Sequence, residues 1–439
     1  MDFRQKLQDR DKELDFMRSI SFRANDESGS LEGVPFVVKD AICVEGVETS
    51  AGSEILEGYR PVFDAAVVER LEDSGAVFHG KTQQDEFGFG SFCTNCAHGW
   101  PRNPHDTRRV TGGSSGGAAA VCAATDEDVL SIGESTGGSI TNPAAYNGVY
   151  GLTPTYGRVP RTGLVSYSNS LDKIGVLSSS LELVARGLEA ISGSDPGDQT
   201  SADRPVPDFS EESSPGSLTV GVPTQLEEVD LERSVQNNFE TSLSRLENLG
   251  YKVERVDVPL LDPDICVAAY YVMAVSEAST NLARFCGMRY GAEGNPADYE
   301  DFNDYFSQVR GEKLGEEAKR RIILGTYARM AGYRDDFYVR AAKVRRKLIN
   351  QIEQVFERCD LLAAPSMPGV APTFEEAQDM SASETYAMDA LTVGPNLAGV
   401  PQLSVPNGEG DGMPTGLQLI GPHWGEKPLI DVARQLDGD

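Results

Sequence analysis

Val110-Thr-Gly-Gly-Ser114-Ser-Gly-Gly-Ala-Ala-Ala-Val121, followed by Gly133-Glu-Ser-Thr-Gly-Gly-Ser139-Ile-Thr-Asn-Pro143-Ala-Ala145, is the stretch from which the rest of the chain is read. Two serines lie in glycine-rich turns, and an apolar run, Val129–Ile132, falls between them. Glycine takes positive φ and lets the backbone approach a ligand closely, so a serine beside it can face a bound carbonyl with several free N–H groups around it. Acyl transfer needs that geometry. The helix-like Gly116–Ala124, the apolar run and the turn after it read as helix, strand and turn, which is the rhythm of an α/β sheet.

The same rhythm extends in both directions. From Pro35, short apolar runs (Pro35–Val38, Ala76–His79, Val129–Ile132) alternate with helix-like segments such as Ala65–Asp73. Residues 192–217, rich in Pro, Ser, Asp and Glu, read as a solvated loop. Beyond them come a strand at Leu218–Val222, an amphipathic helix at Leu231–Leu249 ended by Gly250, and a strand at Lys252–Val258. A mainly helical insertion is expected over 264–359. Leu361–Pro365, Pro401–Val405 and Gly416–Ile420 then return as buried strands that rejoin the sheet. The expectation is an α/β fold, a central mixed β-sheet flanked by helices on both faces. Residues 1–30 would form an N-terminal helix and linker, and 31–439 the catalytic domain.

Hydrophobic content of 39% and charged content of 24% are those of a folded chain, but the net charge of −29 and the pI near 4.5 are extreme. Only 11 of the 39 basic residues are lysine. An acid-rich, lysine-poor surface repels phosphate backbones and anionic lipid, which argues against direct nucleic-acid or membrane binding by this chain. It resembles the surface of salt-adapted proteins, in which concentrated cations screen the repulsion. The charged N-terminus has no apolar segment of a signal peptide, and the longest apolar run, about 265–275, is too short to span a bilayer. Seven scattered cysteines fit reduced thiols, so a cytoplasmic protein is expected.

A serine hydroxyl is a poor nucleophile until a base takes its proton. The usual base is histidine, but none of the four here (79, 98, 105, 423) has a setting suited to that work. Lysine can replace it where burial disfavours the ammonium form. Lys39, at the end of Pro35-Phe-Val-Val38, is placed for that role, although a lysine after a strand is more often a surface residue. Cys93-Thr-Asn-Cys96 has the spacing of half a zinc site, yet no second pair completes it, so structural thiols and no metal are expected. Gly112–Gly117 lacks the Gly-Lys-Ser/Thr of a phosphate loop, which argues against ATP binding by this chain.

Val38-Lys39-Asp40, Gly112-Gly-Ser-Ser-Gly-Gly117, Gly133-Glu-Ser-Thr-Gly-Gly-Ser-Ile140 and Gly151-Leu-Thr-Pro-Thr155 resemble, in order and spacing, the amidase signature family, over nearly the whole chain from about Gly33 to Gly425. Thr155-Tyr-Gly-Arg158, Ser168–Ile174, Lys319–Tyr327 and Asn396–Pro401 are most similar to its tRNA-dependent amidotransferase A subunits, glutaminases that supply ammonia for making Gln-tRNA or Asn-tRNA. The resemblance implies Ser139 as nucleophile and Ser114, after a cis peptide, as the relay to Lys39. It implies backbone N–H groups over Thr136, Gly137, Gly138 and Ser139 as the oxyanion hole. Arg321 falls on the position that grips the α-carboxylate of glutamine, and Asp389 on the one that accepts its α-ammonium.

On the same resemblance the glutaminase reaction needs no cofactor. ATP and Mg2+ belong to a partner B subunit that activates the tRNA-borne carboxylate, a small C subunit completes the heterotrimer, and tRNA is contacted mainly through the partner. Two departures stand out. Ser135 replaces the aspartate usual before Thr136, with Glu134 ahead of it, and the Ser114–Ser139 interval is one residue longer than expected, with the extra residue assigned to the acidic turn Thr125-Asp-Glu-Asp128. Two other readings remain open here: a free-standing amidase for another small amide, from which Arg321 and Asp389 discriminate, and a non-catalytic scaffold, against which the intact Lys39, Ser114 and Ser139 argue.

Overall fold

Alternation along Pro35–Lys39 sets the two faces of a sheet. Phe36 and Val38 belong to one apolar cluster, while Val37 belongs to another that contains the helix Gly116–Ala124. Both clusters are almost free of solvent, and each large side chain so buried contributes about 1.5–3 kcal/mol. The computed structural model describes residues 3–438 apart from 126, 212, 214 and 215, so the acidic turn and the acidic loop each lie partly outside the described residues.

Among the described residues eleven strands form one mixed sheet. They are β1 (Met17–Arg23), β2 (Pro35–Lys39), β3 (Val77–Thr82), β4 (Leu130–Ser135), β5 (Tyr150–Thr153), β6 (Lys173–Ser178), β7 (Thr219–Pro223), β8 (Lys252–Val256), β9 (Leu361–Pro365), β10 (Gln402–Gly410) and β11 (Met413–Ile420). Their order is β1-β3-β2-β4-β6-β5-β10-β11-β9-β7-β8. Strand β2 runs parallel to both β3 and β4, and β7 runs parallel to β8 and β9, while the middle of the sheet is antiparallel. The α/β fold expected from the sequence is therefore the one observed.

The helices Ala66–Asp73, Leu181–Ile191, Arg233–Asn248 and Glu426–Asp437 cover one face. The helix Gly116–Ala124 and a larger helical body cover the other. That body comprises Pro263–Asn281, Phe302–Lys313, Glu316–Arg329 and Arg340–Val355, and it packs on Leu362, Ala364 and Ile420, the residues that alternate with Leu361, Ala363 and Leu419 of the first face. No helix among the described residues is long and apolar enough to cross a membrane.

Two details differ from the sequence reading. After the helix Phe3–Leu14 the chain adds β1 as an edge strand against β3, before the polar stretch beginning at Arg23. The segments read as separate C-terminal strands are one long hairpin. Asp411 and Gly412, at φ 50° and 72°, make the two-residue turn that suits strand twist.

Candidate active site

Lys39 ends β2 and Glu134 stands next to last in β4; the strands are parallel neighbours, so both side chains emerge at one carboxyl edge of the sheet. Strand alternation puts Lys39 on the face of Val37, under the helix Gly116–Ala124, and the turn entering that helix carries Ser114. The Lys39 Nζ lies 2.6 Å from Ser114 Oγ and donates to the Glu134 carbonyl oxygen at 3.0 Å. The Gly113–Ser114 peptide is cis. Gly113 has to be glycine, because a Cβ there would fall 2.2 Å from the buried Asp85 carboxylate. That carboxylate accepts the N–H groups of Cys93 and Asn95 and folds the loop beside the site.

The second serine turn is bonded to the first, since Ser115 N–H donates to the Ser139 carbonyl oxygen at 3.2 Å. Ser139 is 8% exposed where Lys39 and Ser114 are fully buried, so of the three it is the one a ligand can reach. Ahead of it the carbonyls point away from the cleft. The Gly138 oxygen accepts from Asn142 N–H at 2.8 Å and from Thr141 Oγ1, and the Thr136 oxygen accepts from Asn396 Nδ2. The N–H groups of Gly137, Gly138 and Ser139 meet no acceptor among the described residues. Three unpaired donors in a row are what an oxyanion requires.

Around position 135, the turn is held from two sides. Ser135 Oγ donates to the Gly137 oxygen, and Thr136 Oγ1 lies 2.8 Å from Glu134 Oε1 and 2.9 Å from Asp172 Oδ1. Asp172 also accepts the N–H groups of Tyr167 and Ser168. Burial, with Glu134 close by, pushes Asp172 well above the usual carboxylate range.

Arg321 lines a cavity, and Asp389 is buried behind its wall, bonded to the cavity-lining Ser91. Arg321 is buried, contrary to the solvated helix face that the run Lys319-Arg320-Arg321 could have formed. Its guanidinium sits 5.1–5.8 Å from the ring centres of Phe89, Tyr167, Tyr271 and Tyr386. The Nε donates to Glu317 at 2.7 Å and Nη1 to Tyr167 OH at 2.7 Å. One member of each fork is thus taken, whereas Nη2, which both forks share, has no partner among the described residues.

Asp389 accepts from Ser91 Oγ at 3.0 Å and from Tyr271 OH at 3.1 Å, and Ser91 is itself held through Asn142 Nδ2. Burial pushes Asp389 up to about 6. Arg321, Ser91, Tyr386 and Glu317 line a cavity of about 290 Å3. The helix carrying Arg321 is fixed from the catalytic body: the buried Glu86 carboxylate accepts Gly315 N–H at 3.0 Å, directly before Glu316–Arg329. Burial also pushes Glu86 up to about 7.

Asp172, Asn396, Ser91, Tyr271 and Glu317 carry no mark of their roles in the sequence, and Glu134 shows there only as a departure from the usual turn. Their bonds arise between segments far apart in the chain, so no local pattern announces them. Cys93 and Cys96 are buried free thiols, Cys96 pushed up to about 12 by desolvation. Among the described residues no group of three or more His, Cys, Asp and Glu could hold a metal ion.

The amidase family profile matches residues 11–430. The chain belongs to the amidase family. It is 45% identical over 417 residues to the A subunit of the glutamyl-tRNA(Gln) amidotransferase of Natronomonas pharaonis, covering 94% of this chain and 96% of that one. It is 44% identical to the corresponding A subunit of Symbiobacterium thermophilum, with 97% and 86% covered. The crystal structure of the glutamyl-tRNA(Gln) amidotransferase A subunit from Thermotoga maritima superposes with a TM-score of 0.84 at 35% identity, over 99% of this chain and 91% of that one.

Proposed function

We propose that this chain is the glutaminase subunit of a tRNA-dependent amidotransferase, hydrolysing glutamine to glutamate and ammonia at Ser139. The observation that carries the reading is the pair of opposite charges at this cavity, Arg321 in its wall and Asp389 behind Ser91. Arg321 has an unpartnered Nη2 among the described residues and Asp389 a carboxylate held by two hydroxyls, and a zwitterionic amino acid needs one fixed charge of each sign. A site for neutral amides needs neither. The similarity to amidotransferase A subunits over nearly the whole chain supports the same assignment.

In this mechanism Ser139 Oγ attacks the side-chain carbonyl of glutamine while its proton passes to Ser114 Oγ and the Ser114 proton passes to Lys39 Nζ. The carbonyl electron pair becomes an oxyanion, received by the N–H groups over Thr136–Ser139, each worth about 3–4 kcal/mol in comparable sites. Return of the proton through Ser114 to the amide nitrogen breaks the C–N bond and frees ammonia. Water, deprotonated by the same relay, then releases glutamate from the ester. Every step uses groups of this chain, and ATP and Mg2+ enter only at the partner B subunit that activates the acyl-tRNA. A small C subunit would complete the heterotrimer, and the acidity of this chain fits leaving tRNA to the partner.

The test is ammonia release from glutamine in molar KCl, with and without partner subunits and charged tRNA. Ser139→Ala is expected to lower the rate by more than about a thousandfold. Arg321→Ala is expected to raise KM for glutamine while sparing a small neutral amide. Equal loss on both substrates, or hydrolysis of simple amides with none of glutamine, would leave a free-standing amidase instead.

A further inference from the structure

Lys39 Nζ has three oxygen neighbours: Ser114 Oγ at 2.6 Å, the Glu134 carbonyl oxygen at 3.0 Å and Glu134 Oε2 at 2.9 Å. With Cε these fill the four directions of a tetrahedral nitrogen. As an ammonium, Lys39 donates to all three. As an amine it keeps two N–H groups on Glu134 and turns its lone pair to the Ser114 hydroxyl. Proton transfer therefore needs no movement of a heavy atom, and what changes is charge. The Glu134 carboxylate, itself buried, is the group that meets that charge.

Resting on the hydrolytic reading above, we propose that Glu134 is a positioning residue that serves as counter-ion to Lys39, balancing the charge Lys39 acquires when Ser139 is deprotonated and tying it, through Thr136, to the oxyanion turn. The attacking step separates charge: a positive charge forms on Lys39 as a negative one forms on the carbonyl oxygen. Glu134 Oε2 lies on the first, and Glu134 Oε1 holds Thr136, whose residue opens the run of N–H groups that meets the second.

The far side of the network brings a second carboxyl, that of Asp172, to Thr136. Thr136 has one hydroxyl proton and two carboxyl neighbours, so both contacts are good hydrogen bonds only if one carboxyl supplies a proton of its own. Asp172 is fully buried and raised well above the usual carboxylate range, which suits it to carry that proton. The chain runs from Asp172 to Thr136 to Glu134 to Lys39, with Glu134 Oε2 at the lysine.

Glu134→Gln is the decisive variant. Its amide can accept from Lys39 and donate to Thr136, so the shape is kept and the charge alone is removed. The expected result is a fall in kcat for glutamine of about ten- to a hundredfold with KM within about twofold, while Glu134→Asp, which keeps the charge, retains at least about a third of kcat. A kcat within about twofold of the parent in Glu134→Gln overturns the proposal. So does a Glu134→Asp variant reduced by about tenfold or more, and that measurement decides alone if the Gln variant does not fold. Ser139→Ala assayed alongside separates the two levels. Activity surviving in it removes the triad itself, whereas its loss together with a fully active Glu134→Gln removes only the counter-ion.

Discussion

Gly138 offers a sharp test of the oxyanion turn. A Cβ built on it falls 2.1 Å from Thr392 Oγ1, 2.8 Å from Thr392 Cβ and 3.2 Å from Thr392 Cγ2. Rotating Thr392 about Cα–Cβ would leave its Cβ still 2.8 Å away, and its hydroxyl is held in place on the Asp389 carbonyl oxygen. The closest contact is about 1.3 Å short of ordinary van der Waals separation, so in Gly138→Ala the turn has to move by about an ångström. Catalytic groups misplaced by that much lose about a hundredfold, and losing one oxyanion donor costs about 2.7–4 kcal/mol, so kcat for glutamine is expected to fall by about 100- to 1,000-fold. KM is expected to change little, because Arg321 and Asp389 are untouched. Steady-state ammonia release measures both, with a thermal melt to show that the variant is folded. The double variant Gly138→Ala, Thr392→Gly, which empties the space the new methyl needs, is expected to recover part of the loss. Retention of more than about a tenth of kcat in Gly138→Ala would refute the placement of the oxyanion donors.

Two further outcomes follow from the charges. Asp389 must be ionised to receive an α-ammonium and its carboxyl is pushed up to about 6, so KM for glutamine is expected to climb as pH falls through about 6; a KM flat from about pH 5 to pH 8 would count against that contact. With a net charge of −29, the folded chain is expected to melt at lower temperature as KCl is reduced from molar to about 0.1 M, where the screening length grows from about 3 Å to about 10 Å, and an unchanged midpoint would contradict the salt-adapted reading of its composition.

The parts of this molecule legible in its sequence are those where local chemistry decides. Glycine-rich turns, β-branched runs and the periodicity of the helices announce the sheet and the serine turns, since each signal lies within about ten residues of chain. Strand β1 is hidden because it is an edge strand whose residues are mostly half-exposed, so Met17–Arg23 lacks a clean apolar alternation. The hairpin β10–β11 escapes a sequence reading although Asp411-Gly412 is a strong turn signal, because the polar stretch Pro406–Gly410 masks the continuity of the strand. Arg321 has the sequence setting of a solvated basic face, and only the ring of four aromatics from remote segments shows why it is buried. Glu134 is visible as an oddity in the turn; its meaning depends on β2 and β4 being parallel neighbours, which pairing alone decides.

In the proposed reading, chemistry and recognition come from different parts of the chain. Lys39, Ser114, Glu134 and Ser139 all belong to β2, β4 and the turns packed on them, a rigid unit held by strand pairing. Arg321 comes from the helical body, more than 180 residues downstream of Ser139. Glu86, immediately past β3 at the same sheet edge, ties the two by holding Gly315 N–H at the start of the Arg321 helix. A change in that helix can therefore alter which amide is held without disturbing the relay, while a change at Glu134 or Gly138 alters the rate for every amide. Variants of the two kinds are expected to separate cleanly into KM and kcat effects, with Glu86, although it lies in the catalytic part, falling among the KM variants. Glu86→Gln weakens the cap from the catalytic side, so it is expected to raise KM for glutamine through Arg321 and to leave the rate on a small neutral amide unchanged; a loss confined to kcat would show that the helix is held by other contacts.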